Sequence, residues 1–162
     1  MISLCYIQGG IMENITTISN EKLEEYLHEL LYDYGFSRTE LARILHADVD
    51  DVRNGVTELT LEQEKSLVSF YIHIGTIKYI LNHQDPRMTA DWFFKNIGDH
   101  DDVICSPYDL YMVHNFTALK NMLKSSNYVE YILTFYPEYQ KNTTGSSSCC
   151  YGGWNCATCR ET

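Results

Sequence analysis

Proline is scarce in this chain, with three in 162 residues, so little interrupts the stretches that carry helical periodicity. Strand signals are scarcer: no run alternates apolar and polar residues between turn clusters, and no internal repeat stands out. No apolar run approaches the roughly 20 residues of a membrane span. The N-terminus lacks the basic start and long apolar stretch of a secretory signal, so a cytoplasmic location is expected. Cations are also short, at 12 Lys and Arg against 22 Asp and Glu, for a net charge of -10. Such a chain repels nucleic acid except where a few arginines meet phosphate, and it suits a protein partner with a basic face. Phosphate-cradling glycine loops are missing: Gly9-Gly10 lies outside the expected fold, and Gly152-Gly153 precedes no helix bearing Lys. His28, His46, His73, His83, His100 and His114 are scattered, and none forms a pair at i, i+4 around a Glu. No catalytic residue is assigned, and a non-enzymatic protein is expected.

What remains is ample material for helices with a core. The apolar fraction is 44% and there are 13 Tyr, which fits one compact domain or two small helical subdomains. The most informative segment is 36–55. Ser37 can cap a helix and Glu40, three residues on, can complete a capping box. Leu41, Ala42, Ile44 and Leu45 supply an inner face, and Val49 and Val52 supply one for a second short helix closed by Asn54-Gly55. This is the layout of a helix-turn-helix; an ordinary corner between two helices has the same local pattern. The second helix carries Asp48, Asp50 and Asp51 with only Arg53. Asp48 can serve as its N-cap, leaving two carboxylates to repel phosphate. Arg38, Arg43 and Arg53 are the candidate DNA contacts.

Around this segment the pattern is helical throughout. Leu23, Tyr26, Leu27, Leu30, Leu31 and Tyr34 predict an amphipathic helix over 21–34, capped by Asn20 and ended by Gly35. Thr60 and Gln63 form a second capping box that opens a long helix to about Asn82, with a seam of Leu67, Phe70, Tyr71, Ile74, Ile77 and Leu81. Gly75 costs that helix stability, so close packing against a neighbour is expected there. Asp85-Pro86 starts a helix through Trp92, Phe93 and Phe94. A polar loop follows over 96–102, in which His100-Asp101-Asp102 reads as solvated rather than metal-binding. Ser106-Pro107-Tyr108-Asp109 caps a short helix that stops near His114-Asn115. Helices over 116–124, with Leu119 and Leu123 inward, and 127–136, with Tyr128, Ile132 and Phe135 inward, precede Pro137. Cys105 reads as a small core residue.

The series as a whole resembles antitoxins of the Xre/MbcA/ParS type. Those proteins carry a helix-turn-helix, a linker helix and a toxin-binding domain with a Trp, an Asn and a Ser-Pro-x-x-Leu in order. Trp92, Asn96, Ser106, Pro107 and Leu110 stand on matching positions, and the likeness spans roughly 36–124. Asp101-Asp102-Val103-Ile104-Cys105 replaces the family's glycine pair, and Asn115 stands where its helix-ending glycine does. The resemblance implies a homodimer that binds and neutralises a toxin and represses its own operon through operator DNA. It also implies a partner-binding domain built with Trp92, Phe93, Asn96, Ser106, Pro107, Tyr108 and Leu110. A stand-alone bacterial or phage helix-turn-helix regulator is the alternative.

Both ends of the chain stand apart. Gln8-Gly9-Gly10-Ile11-Met12 can be encoded by a purine-rich ribosome-binding sequence, an Ile codon and ATG. Translation is therefore expected to begin at Met12, with 1–11 non-native or disordered and a bacterium or its phage as source. Beyond Pro137, Ser/Thr/Gly-rich sequence leads to Cys149, Cys150, Cys156 and Cys159. Zinc held by all four thiolates, two disulfides, side-chain cross-links in a precursor peptide, and an unstructured tail all fit those residues. A precursor or metal-binding protein whose tail carries the function is the third class. The expected organisation is all-α: an extension over 1–11, a helix-turn-helix domain over 12–60, a linker helix over 61–84, a helical partner-binding domain over 85–137, and a flexible Cys-rich tail over 138–162.

Overall fold

The computed structural model describes residues 18–98 and 103–141. They form an all-α protein of eight helices, with no strand among the described residues and one isolated antiparallel bridge between Val103 and Gln140. No helix among them is long and apolar enough to cross a membrane. The chain divides into two compact units, 1–91 and 92–162.

The first unit opens with α1 (Asn20–His28), which runs directly into a π-helical turn, Glu29–Asp33. Ser19 caps α1, its side chain accepting from the Lys22 N–H at 3.3 Å, and Asn20 is the first helical residue rather than the cap. The cap expected at Asn20 therefore falls one residue earlier, since a serine suits the position as well as an asparagine does. The π turn replaces the regular helix expected up to Tyr34 and sets Glu29 to accept a hydrogen bond from the Tyr71 hydroxyl at 2.6 Å. Gly35 follows at φ 81°, a backbone that glycine adopts without strain.

Next come α2 (Arg38–Leu45), α3 (Val49–Asn54), a 3-10 turn over Val56–Glu58, and α4 (Leu61–Ile80). The α4 capping box is complete: Thr60 Oγ1 accepts from the Gln63 N–H at 3.2 Å, and Gln63 Oε1 accepts from the Thr60 N–H at 2.9 Å. This helix is no free-standing linker. It packs on α1 and α2, burying Leu67, Phe70, Ile74 and Ile77 with Leu23, Leu27, Leu30, Phe36, Leu41 and Leu45. Phe36 meets Phe70 edge-on at 5.3 Å, and Tyr26 stacks on Tyr71 at 4.0 Å. The expected seam holds except at its margins, where Tyr71 and Leu81 are half-buried. Gly75 departs from expectation: a methyl group placed on it would meet nothing within 4 Å. The close neighbour expected there is absent because Gly75 lies on the side of α4 away from this core.

α5 (Pro86–Phe94) begins in the first unit, where Asp85 Oδ1 accepts from the Arg87 N–H at 2.9 Å. The division between the two units falls within this helix, at 91/92. The second unit holds α6 (Pro107–His114), α7 (Phe116–Lys124) and α8 (Tyr128–Phe135), with a 3-10 turn over Pro137–Tyr139. Its core gathers Phe93, Val103, Cys105, Leu110, Leu119, Met122 and Ile132. Asn115, at φ 82°, closes α6 and opens α7: its N–H donates to Tyr111 O, while its side-chain oxygen accepts from the N–H groups of Thr117 and Ala118. Phe135 is not inward; it is 62% exposed, because α8 is short and its single fully buried position is Ile132. Tyr128 is half-buried.

Candidate functional site

The two groups of residues singled out by sequence lie in separate units. In the first, the Ser37–Glu40 box fixes the start of α2. Ser37 Oγ accepts from the Glu40 N–H at 3.1 Å and Glu40 Oε2 accepts from the Ser37 N–H at 2.8 Å. The helix ends at His46, left-handed at φ 53° and ψ 42°, with the Ala47 N–H donating to Ala42 O at 2.9 Å. Three residues, His46 to Asp48, then turn the chain into α3. One side chain from elsewhere holds this turn, and another holds the segment that leaves α3. Gln63 Nε2 donates to His46 O at 3.0 Å, and Glu24 Oε1 accepts from the Val56 N–H at 2.9 Å just beyond α3. Neither tie is visible in local sequence, since the partners stand 17 and 32 residues apart.

Arg38 opens α2, Arg43 lies in its last turn and Arg53 in the last turn of α3; all three are exposed. The Arg38 guanidinium lies 3.5 Å from the Tyr32 hydroxyl. Arg53 is paired with Asp50 at 3.1 Å. Asp48 occupies the N-cap position of α3 but makes no capping hydrogen bond, contrary to the role expected for it. Its backbone is extended as a cap requires, yet the carboxylate is not drawn into the helix end. The acidic character of α3 is therefore undiminished.

In the second unit Phe93 is the organising ring. It is fully buried and meets Phe94, Tyr108 and Tyr111 edge-on at 5.3, 5.9 and 5.8 Å. Asn96 closes the segment behind α5. Its side-chain nitrogen donates to Val103 O at 2.7 Å and its oxygen accepts from the Cys105 N–H at 2.8 Å, with the Ile97 N–H donating to Cys105 O at 2.7 Å. Ser106 then caps α6. Its Oγ accepts from the Asp109 N–H at 3.1 Å and donates to Asp109 Oδ2 at 2.8 Å, and that same carboxylate oxygen accepts from the Ser106 N–H at 2.8 Å. Pro107 and Leu110 are buried, and Tyr108 is half-buried.

A cavity of about 170 Å³ lies among Trp92, Lys95, Asn96, Ile97, Gly98, Pro107 and Tyr128. It brings together Trp92, Asn96 and Pro107 of the expected partner-binding set. Lys95 and Tyr128 are additions that sequence reasoning missed, since nothing local couples the end of α5 to the first turn of α8. Phe93 and Leu110 build the unit from inside.

Cys105 is buried, and burial, with the Asp109 and Glu138 carboxylates nearby, pushes its thiol up to about 12. A thiol so placed stays protonated and unreactive at neutral pH. His114 lies with Nε2 3.4 Å from Glu138 Oε1 and its ring 4.3 Å from Tyr136. Among the described residues no three His, Cys, Asp or Glu side chains gather as a metal site would require. Cys149, Cys150, Cys156 and Cys159, the zinc candidates, lie outside the described residues, as do His100, Asp101, Asp102 and the segment 1–11. No protein-family model matches the sequence, and no curated protein or solved structure is detectably similar to it.

Proposed function

We propose that this chain is an antitoxin-like cytoplasmic protein. It binds and neutralises a basic partner toxin and represses its own operon through a helix-turn-helix formed by α2 and α3. The observation that carries the reading is the charge on α3. Its cation, Arg53, is engaged by Asp50, while Asp48 caps nothing. A helix of that character gains little from the polyanionic major groove and more from a cationic protein face. DNA contact then falls mainly to Arg38 and Arg43, with Arg53 reaching phosphate only by leaving Asp50. The aromatic and Ser106-capped segment of the second unit supports the family likeness through its order of parts, and Trp92 and Tyr108 offer partly exposed rings for the protein partner.

The test is co-expression. Producing a basic protein captured with this chain from its host should arrest growth, and supplying this chain should restore it with the two proteins co-purifying at high salt. Growth arrest that persists with the chain abundantly present would overturn the reading. A stand-alone bacterial or phage regulator is the second reading, favoured by the exposed Arg38 and Arg43 on a helix whose following turn is held by Gln63. Salt-sensitive, sequence-specific binding to the upstream DNA without any protein partner would select it.

A further inference from the structure

α4 is apolar on two sides, and only one of them is covered by the first unit. The inner side carries Leu67, Phe70, Ile74 and Ile77. At the helical repeat of 3.6 residues, the opposite side carries Leu61, Lys65, Val68, Ile72, Gly75 and Tyr79. These are separated by four, three, four, three and four residues, the heptad spacing of a seam between two helices. Leu61 is 55% exposed, Ile72 42% and Tyr79 86%. Gly75 lies on the same stripe with open space beside it. Between the two apolar sides lies a polar one with Glu62, Ser66, Ser69, His73 and Thr76, and an exposed apolar stripe bordered by polar residues is the pattern of a contact surface.

We infer that this stripe packs antiparallel against the same stripe of a second copy. The choice of occupant rests on charge. Positions 64, 71 and 78 flank the stripe once per heptad and read Glu, Tyr, Lys. In an antiparallel pair with two-fold symmetry, Glu64 of each copy faces Lys78 of the other. A parallel pair would set Glu64 beside Ser69 of the other copy and gain no ion pair from Lys78. The stripe itself holds one charge, Lys65, so two copies of a chain with net charge -10 meet where their mutual repulsion is least. The same register sets Ile72 against Val68 of the second copy and Tyr79 against Leu61. The Lys65 stem lies over Gly75, where there is room for it. From Leu61 to Tyr79 the seam runs about 27 Å, and it is self-complementary, as a two-fold interface must be. The inference gives the homodimer expected from the family likeness a surface, and it holds whether or not the partner is a toxin.

Sedimentation equilibrium of the full chain across a wide concentration range tests it. The wild type should associate to two copies. Ile72→Glu should weaken association roughly tenfold or more, with unchanged far-ultraviolet circular dichroism. Glu64→Lys and Lys78→Glu should each weaken it roughly threefold, and the double variant should restore it. If Ile72→Glu loses helix content, Tyr79→Ser takes its place with the same direction expected. A wild type monomeric at every concentration, or a dimer indifferent to Ile72 and Tyr79, would overturn the interface. A double charge swap that fails to restore association would overturn its antiparallel register.

Discussion

Replacing Gly75 with alanine should stabilise the protein. Gly75 lies inside α4, away from either end of the helix, so its intrinsic cost there applies in full: about 1 kcal/mol relative to alanine. A substitution recovers that amount only where the added methyl neither clashes nor displaces a neighbour. Here a Cβ meets nothing within 4 Å, so the expected gain is about 0.8–1 kcal/mol, or a rise in Tm of roughly 2–4 °C for a chain of this size. Urea and thermal melts followed by far-ultraviolet circular dichroism would measure it, at a dilution where the chain is monomeric so that only the intrahelical effect is read. Gly55→Ala and Gly98→Ala supply the opposite sign. Their φ values are +97° and +96°, and an added Cβ would lie 2.7 Å from Glu24 Oε1 and 2.8 Å from Val129 Cγ2. Each should lose at least about 1 kcal/mol. A Gly75→Ala variant no more stable than wild type would refute the open surroundings assigned to that position.

Three further outcomes follow from the geometry. Asn96→Ala removes both hydrogen bonds that close the segment to Cys105 and should cost about 1–3 kcal/mol in urea denaturation, because a carbonyl and an N–H lose their partners. Cys105, Tyr111 and Tyr139 are each pushed up to about 12 by burial, from ordinary values of 9.0 for the thiol and 10.0 for the phenols. The unfolded chain therefore releases these protons before the folded one does. Stability should hold below pH 9 and fall steadily toward 12, a slope that urea midpoints at stepped alkaline pH would reveal and that Cys105→Ala should make shallower. On the proposed helix-turn-helix reading, Arg38→Ala and Arg43→Ala should weaken binding to the upstream DNA and flatten its dependence on salt by about one counterion per lost phosphate contact, measurable by fluorescence anisotropy; unaltered salt slopes would remove α2 from the proposed DNA interface.

Three helix starts were legible because their chemistry is local. Ser37 with Glu40, Thr60 with Gln63, and Ser106 with Asp109 each satisfy a helix end from three residues away, and a reader of the chain sees both partners at once. Three features escaped for the opposite reason. The π turn after α1 is tied to Tyr71 on α4. The Glu24 and Gln63 ties to the segment around α3 join residues that only the fold makes neighbours. The cavity wall formed by Lys95 and Tyr128 brings α5 to α8. Periodicity also misjudged what an apolar residue faces. Phe135 shares the spacing of Ile132 yet points to solvent. α4 carries two apolar sides, and the spacing by itself does not say that Gly75 belongs to the outer one.

Asn115 has a consequence for how the second unit assembles. One residue closes α6 and opens α7, so no connecting segment has to be searched over or ordered when the two helices meet, and the loop-closure entropy that normally opposes such a pairing nearly vanishes. The first turn of α7 also begins on the side chain of the residue that ends α6, so neither end frays without exposing the other. Hydrogen exchange should report this pair as one cooperative block, with the amides of α6 and α7 opening together, and contacts so near in sequence place its formation early in folding.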